Sequence, residues 1–308
     1  MPVSPSSHEA WKKVVGLAEE ESWPPSAATD PTVWIPAFDE VDFQQEPAVI
    51  EVPDTRGTRG RYLRPLGAHT TTGTIRAAHM TLPLLKLLIP HLLATKGDTT
   101  AAGGTYYTRA DSAPSSLCVY YQRGGVWQAA LGCYIRRAEF SFGAQMLAAD
   151  LEFSGYSVIS ASAKTPTFSD ADTKLFPFTK LTVEIDGTTV GVKDCTIRFN
   201  TNVPEADHRS GSIYTQALTQ GTFEADIEFT REALSGFWDY IKEGHDFNVK
   251  LTMLNVDESA KFIIEAPKVR INPARHDDRE DVNLLFSRVT GNALVDITEG
   301  YEIRAYIE

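Results

Sequence analysis

Gly73-Thr-Ile-Arg-Ala-Ala-His-Met-Thr81 and, about 150 residues further on, Gly221-Thr-Phe-Glu-Ala-Asp-Ile-Glu-Phe-Thr230 are two versions of one element. Each opens on a glycine, reads as a strand and ends on a threonine that precedes an apolar stripe. The stripes are Leu85, Leu88, Ile89 and Leu92 in the first version, and Leu234, Phe237, Trp238 and Ile241 in the second. Both follow the i, i+3, i+4, i+7 spacing of a helix with one buried face. Few identities match, so the order of elements and the stripe carry the correspondence. The spacing between the versions differs by one residue at the glycines and at the threonines, which leaves the strand faces of the two copies unaligned.

Outward from this pair, the chain reads as mainly β. Thr81 is placed to cap the first helix, which Pro90 should kink or end. Strands follow at Leu117–Gln122, Trp127–Phe142 and Gln145–Phe153. In the last of these, Leu147, Ala149, Leu151 and Phe153 alternate with Ala148, Asp150, Glu152 and Ser154, so one face is apolar and the other polar. The second copy opens with Leu181–Ile185, which turns through Asp186-Gly187 to meet Val190–Asn200. Beyond its strand and the helix expected at Arg231–Lys242, it continues through strands at Phe247–Leu254, Lys261–Ile271, Val282–Val289 and Tyr301–Ile307. The expected division is an N-terminal arm (1–45), a first domain (46–157), a linker (158–179) and a second domain (180–308). Each domain reads as a set of antiparallel strands with one short helix.

The arm is punctuated by Pro2, Pro5, Pro24, Pro25, Pro31 and Pro36, with a candidate amphipathic helix at Ala10–Glu21. Trp11, Trp23, Trp34 and Phe38 are more aromatic surface than a solvated tail carries, which suits an arm that orders against a neighbouring subunit.

Composition narrows the function. The 308 residues are 42% hydrophobic and 23% charged, ordinary for a soluble globular chain, and the formal net charge is −12. That balance argues against a conventional nucleic-acid binder, which needs basic surface to displace counterions. Asp54–Arg64 is the one basic stretch and reads as a loop facing acidic neighbours. Cys118, Cys133 and Cys195 have no metal-ligand spacing and read as buried free thiols, in keeping with assembly in a reducing cytoplasm. The most apolar run, Leu82–Leu93, is too short to span a bilayer, so no membrane partner is expected. No phosphate loop, nucleophile elbow or zinc motif is present, so neither enzyme activity nor a cofactor is expected. His276–Asp281 holds metal-type residues, but a solvated turn of mutually satisfied charges is the expectation there.

The second copy resembles the major tail tube proteins of long-tailed bacteriophages. The resemblance runs through Leu181–Gly187, Cys195–Asn202, the Arg209-Ser-Gly loop, Gly221–Phe229 and Ala266–Ile271. The first copy is similar over Gly73–Leu93, Leu131–Ile135 and Phe153–Gly155, so the likeness covers roughly 48–308. It implies two tandem β-sandwich or open-barrel domains, each with one short flanking helix, whose inner sheets join into one barrel around a lumen, in rings that stack into the conduit for the genome. Six domains per ring make two per chain a homotrimer with pseudo-sixfold symmetry; a homohexamer is the alternative. The implied partners are further copies of the chain, the tape measure, tail terminator and distal tail proteins, and DNA that transits without specific binding. The implied location is the virion tail, assembled in the host cytoplasm.

Weak repulsion along such a lumen lets a polyanion slide, and Asp150, Glu152, Glu224, Asp226 and Glu228 are the candidate wall residues. A distal tail or baseplate protein of the same fold, forming one ring, is the neighbouring reading. A β-sandwich module for carbohydrate or another ligand is a third, disfavoured because the Tyr and Trp residues are scattered through strands.

Overall fold

The computed structural model describes residues 13–49, 66–93, 104–109, 114–123, 125–143, 146–203, 223–232, 246–271, 277–281, 284–299 and 301–308. Its first half contains β1 (Val15–Glu19), β2 (Val33–Trp34), β3 (Glu40–Val49), β4 (Leu66–His79), α1 (Leu82–Leu93), β5 (Thr105–Thr108), β6 (Leu117–Arg123), β7 (Val126–Phe142), β8 (Leu147–Gly155), β9 (Ser157–Ser160) and the four-residue α2 (Asp170–Thr173). A 3-10 turn at Phe178–Lys180 leads into β10 (Leu181–Ile185), β11 (Thr188–Val190), β12 (Val192–Asn200), β13 (Glu224–Glu232), β14 (Asp246–Leu254), β15 (Lys261–Ile271), β16 (Asp277–Asp281), β17 (Leu284–Ala293) and β18 (Arg304–Ile307). The fold is mainly β, and its ladders are antiparallel.

The duplication is written in the pairing. In the first half β2 pairs with β1, β1 with β6, β6 with β7 and β7 with β9, while β3 pairs with β4, β4 with β8 and β8 with β7. In the second half β11 pairs with β10, β10 with β14, β14 with β15 and β15 with β18, while β12 pairs with β13, β13 with β17 and β17 with β15 and β16. The two lists correspond strand for strand, with β15 and β16 together standing where β7 stands alone.

This correspondence corrects the reading of the N-terminus. β1 and β2 are the counterparts of the β10–β11 hairpin, so the repeat begins at Val15 rather than at residue 46. Within the segment expected as an arm, Val15–Glu19, Val33–Trp34 and the start of Glu40–Val49 are strands of the folded sheets, and Val15, Leu17, Ala18 and Trp34 are buried. The helix expected at Ala10–Glu21 is, from Val15 to Glu19, a strand with four consecutive buried residues. Burial on both faces removes the alternation by which a strand is recognised.

The expected linker is likewise structured. β9 pairs with β7, Phe176 is fully buried, and Leu175 and Pro177 bridge to Thr81 and Met146. The hairpin expected between Leu181–Ile185 and Val190–Asn200 involves only β11. At Gly191 the chain leaves β10, and β12 pairs instead with β13 and with β7 of the other half.

The first helix forms as expected, with Leu85, Leu88, Ile89 and Leu92 buried against the core. It runs through Pro90 to Leu93, because the tertiary packing of its last turn outweighs the hydrogen bond that proline cannot donate. Thr81 does not cap it: its hydroxyl is buried without a hydrogen-bond partner, while its carbonyl accepts from the Leu85 amide at 2.9 Å. The helix expected at Arg231–Lys242 lies, beyond Glu232, outside the described residues, and Arg231 and Glu232 belong to β13. Residues 50–65 and 204–222, where the Asp54–Arg64 and Arg209-Ser-Gly loops were expected, are also outside them.

One hydrophobic core runs through both halves. Phe43 of β3 stacks on Tyr121 of β6 at 5.3 Å, and Phe140 of β7 lies 6.4 Å from Phe262 of β15. β7 serves both layers. Its first part pairs with β6 and β9, its second with β8 and β12, and between them Gly132 adopts φ +62°. A Cβ there would sit 2.4 Å from the Trp23 ring. The Gly132 amide donates to the buried Glu20 carboxylate at 2.9 Å.

Candidate functional site

The layer that carries the candidate acidic residues has the strand order β3–β4–β8–β7–β12–β13–β17–β16. The junction of the two halves is the β7·β12 ladder, which pairs Arg137–Phe142 with Cys195–Asn200. Alternation sorts the side chains of these strands. Ile75, Leu151, Phe153, Ala138, Phe140, Ile197, Phe199, Ala225, Ile227 and Phe229 are buried on the core side. Thr74, Glu152, Arg137, Glu139, Arg198 and Glu228 are partly exposed on the other.

All five acidic candidates come to this second face. Glu152 stands opposite Thr74 and Arg137, and Asp150 opposite Glu139. Glu224, Asp226 and Glu228 stand opposite Asn200, Arg198 and Thr196. Ser154, expected on the polar face, is instead fully buried, with its hydroxyl unpaired.

Basic residues are threaded through the same face, and sequence reasoning did not single them out. Arg76 meets Asp150 at 3.3 Å. Arg137 reaches Glu139 at 3.0 Å and Glu152 at 3.8 Å. Arg198 joins Glu139 of β7 (2.9 Å) to Glu228 of β13 (3.1 Å), so one guanidinium ties three strands across the junction. Asn292 of β17 donates to Asp226. Burial works against the charge of Glu139, yet its bonds to Arg198 and the nearby Arg137 outweigh burial and hold its carboxyl below the ordinary value. The alternation Arg137, Glu139, Ser141 and Thr196, Arg198, Asn200 was visible in the sequence. That these two strands adjoin was not.

A bulge between Ile135 and Arg137 adds Arg136, and with Asp42, Thr72, Arg76 and Glu152 it lines an open depression of about 410 Å³. At the end of β13, Glu302 is raised above its usual range by burial, which the Arg109 charge opposes and Glu224 reinforces.

Groups suited to covalent or metal chemistry are occupied structurally. The three thiols are free, buried and pushed up by burial, Cys118 to about 12. No group of three or more potential metal ligands occurs among the described residues. Asp277–Asp281, expected as a solvated turn, is strand β16 at the rim of the polar-faced layer.

A duplicated antiparallel fold, with one long layer that is apolar inside and charge-laced outside, defines a class of mainly β proteins built from two like units joined in one sheet. The family model described as phage tail tube protein matches residues 10–293, and the chain belongs to that family. It is a structural component of a bacteriophage tail. The match begins at residue 10, consistent with β1 and β2 lying within the repeat. No curated protein matches the chain.

Proposed function

We propose that the chain closes into rings of three, that the rings stack into the tail tube, and that the polar face of the eight-stranded layer lines the channel through which the genome is ejected. The observation that carries this reading is the β7·β12 ladder. It joins two copies of the domain edge to edge in one continuous sheet. Among the described residues the rims of that sheet are β3, the counterpart of β12, and β16, the counterpart of the second part of β7. Repeating the internal junction between chains, β16 to β3, extends the sheet until it closes and removes both open edges.

Strand spacing supports three chains per ring. Eight strands from each of three chains give about 24, spaced about 4.8 Å and tilted about 40°, for a barrel about 48 Å across at the backbone. Side chains reduce the bore to about 40 Å, which clears a duplex about 20 Å wide. At the same spacing and tilt two chains would leave about 24 Å, barely more than the duplex, and six would leave a bore about four times the duplex width. Asp150, Glu152, Glu224, Asp226 and Glu228 would then face DNA. The arginines among them are engaged by carboxylates, so they offer phosphates few free partners.

Electron microscopy of purified protein and of virions tests this reading. Hollow stacked rings with a mass of three chains per ring are expected. Discrete particles under every assembly condition would refute the tube, and six chains per ring would refute the trimer alone. A single ring that never stacks would favour a distal tail or baseplate role. In the tube reading the ends contact tape measure, terminator and distal tail proteins, and assembly takes place in the host cytoplasm.

A further inference from the structure

We infer that the junction between chains is electrostatically gated: β3 and β16 carry like charge, so two copies repel at the edges they must join until that charge is screened or neutralised. The inference rests on the edge-to-edge reading above and concerns its control. The partner is a second copy of this chain.

The two rims are both acidic. β3 contains Glu40, Asp42 and Glu46 and no basic residue, a formal charge of −3. β16 is Asp-Asp-Arg-Glu-Asp, four carboxylates against Arg279, also −3. Among the described residues, β3 forms a ladder only with β4, and β16 only with β17. Glu40 and Glu46 are exposed, and Asp42 is paired with Arg123 at 2.8 Å. Lys13 reaches the Asp39 carbonyl rather than a rim carboxylate. In register, Glu40 lies opposite Arg76 and Asp277 opposite Arg288, so each rim has one basic neighbour on its own sheet.

The internal junction is built the opposite way. Its ladder sets Glu139 directly against Arg198, with Arg137 beside them, and the pair is hydrogen-bonded. Opposite charges across a ladder stabilise it and like charges destabilise it. The same geometry is therefore self-complementary within the chain and self-repelling between chains. Charge on an open edge is also the usual protection against premature strand pairing. For a chain whose two open edges could otherwise pair at once, a rim that resists spontaneous closure is a control point. Repulsion over one strand spacing is felt at low salt and is largely screened at about 1 M, where the Debye length is about 3 Å.

The test uses the full chain, by sedimentation velocity with electron microscopy of the same samples. Wild type is expected as protomers at 0.05 M NaCl and as rings or stacks at 0.5 M. Glu40→Lys/Glu46→Lys, which changes the formal charge of β3 from −3 to +1 to face the acidic β16, should assemble at 0.05 M at about tenfold lower protein concentration. Its salt response should reverse, because screening now weakens an attraction. That reversal separates edge charge from general salting-out, and melting curves check that the variant folds. Wild-type assembly indifferent to salt, or a variant needing as much protein as wild type at 0.05 M, overturns the inference and leaves the ring reading standing. Absence of rings from both proteins at every salt overturns the ring reading, and this inference with it.

Discussion

Gly73, the landmark of the repeat, is a glycine because of a ring rather than a turn. It lies between Phe43 and Phe153 in the cross-strand register, and a Cβ there would fall 2.0 Å from the Phe43 ring. Phe43 cannot withdraw, since it packs on both Tyr121 and Phe153. Gly73→Ala should therefore destabilise the protein by about 1–3 kcal/mol, measured by chemical denaturation. Glu20 makes a second residue-scale case. It is buried, accepts from Ser116 Oγ at 2.6 Å and from the Gly132 amide at 2.9 Å, and leaves its other oxygen unpaired. Burial, only partly offset by those two bonds, raises its pKa. The folded state thus holds the proton more tightly than the unfolded one. The associated stability is present below the ordinary carboxyl pKa and is lost as pH rises through the folded value. Glu20→Gln keeps an acceptor for both donors without a charge. It should melt at a higher temperature than wild type at pH 8, with the difference closing at pH 4.

Two elements show tertiary packing overriding local preference. Pro90 sits inside α1, whose Leu84, Leu85, Leu88, Ile89, Leu92 and Leu93 are all buried. The helix persists because that apolar face is worth more than one missing backbone bond, so Pro90→Ala should raise stability, by about 1–3 kcal/mol in denaturant titration. The junction strands make the complementary case. Removing Arg198 would leave Glu139 and Glu228 facing each other without their shared cation. Arg198→Ala should cost about 1–3 kcal/mol, and Arg198→Lys less. Because the Glu139 carboxyl is held below its ordinary value, its contribution is present above the unfolded pKa and fades as pH falls through the folded one. A pH series of melts should show wild type and Arg198→Ala converging in acid.

At the scale of the whole molecule the halves are not beads on a string. They share the β7·β12 ladder, a continuous core and a second tie, in which β5 of the first half pairs with β18 of the second. A chain cut by limited proteolysis within 161–169 should therefore migrate as one species on gel filtration under native conditions and separate only in denaturant. Elution of two independent half-chains would show that the expected two-domain division holds mechanically as well as in sequence.

The β class, the duplicated order of strands, the buried face of α1 and the polar face of β8 were all legible in the residues. They follow from side-chain periodicity, which is local and survives divergence. The expected arm shows where that signal stops: β1 is buried on both faces and β2 has two residues, so neither displays a period. Asp150, Glu152, Glu224, Asp226 and Glu228 could be chosen one strand at a time. That they share one face, interleaved with Arg76, Arg137 and Arg198, required knowing that β12 leaves its hairpin at Gly191 to join β7. A pairing between strands some 50 residues apart depends on which edge is free once both layers have packed, and no periodicity within either strand records it. Residue order along each strand settles what that strand offers; packing of the two layers settles which strands meet, and therefore that the two copies form one sheet.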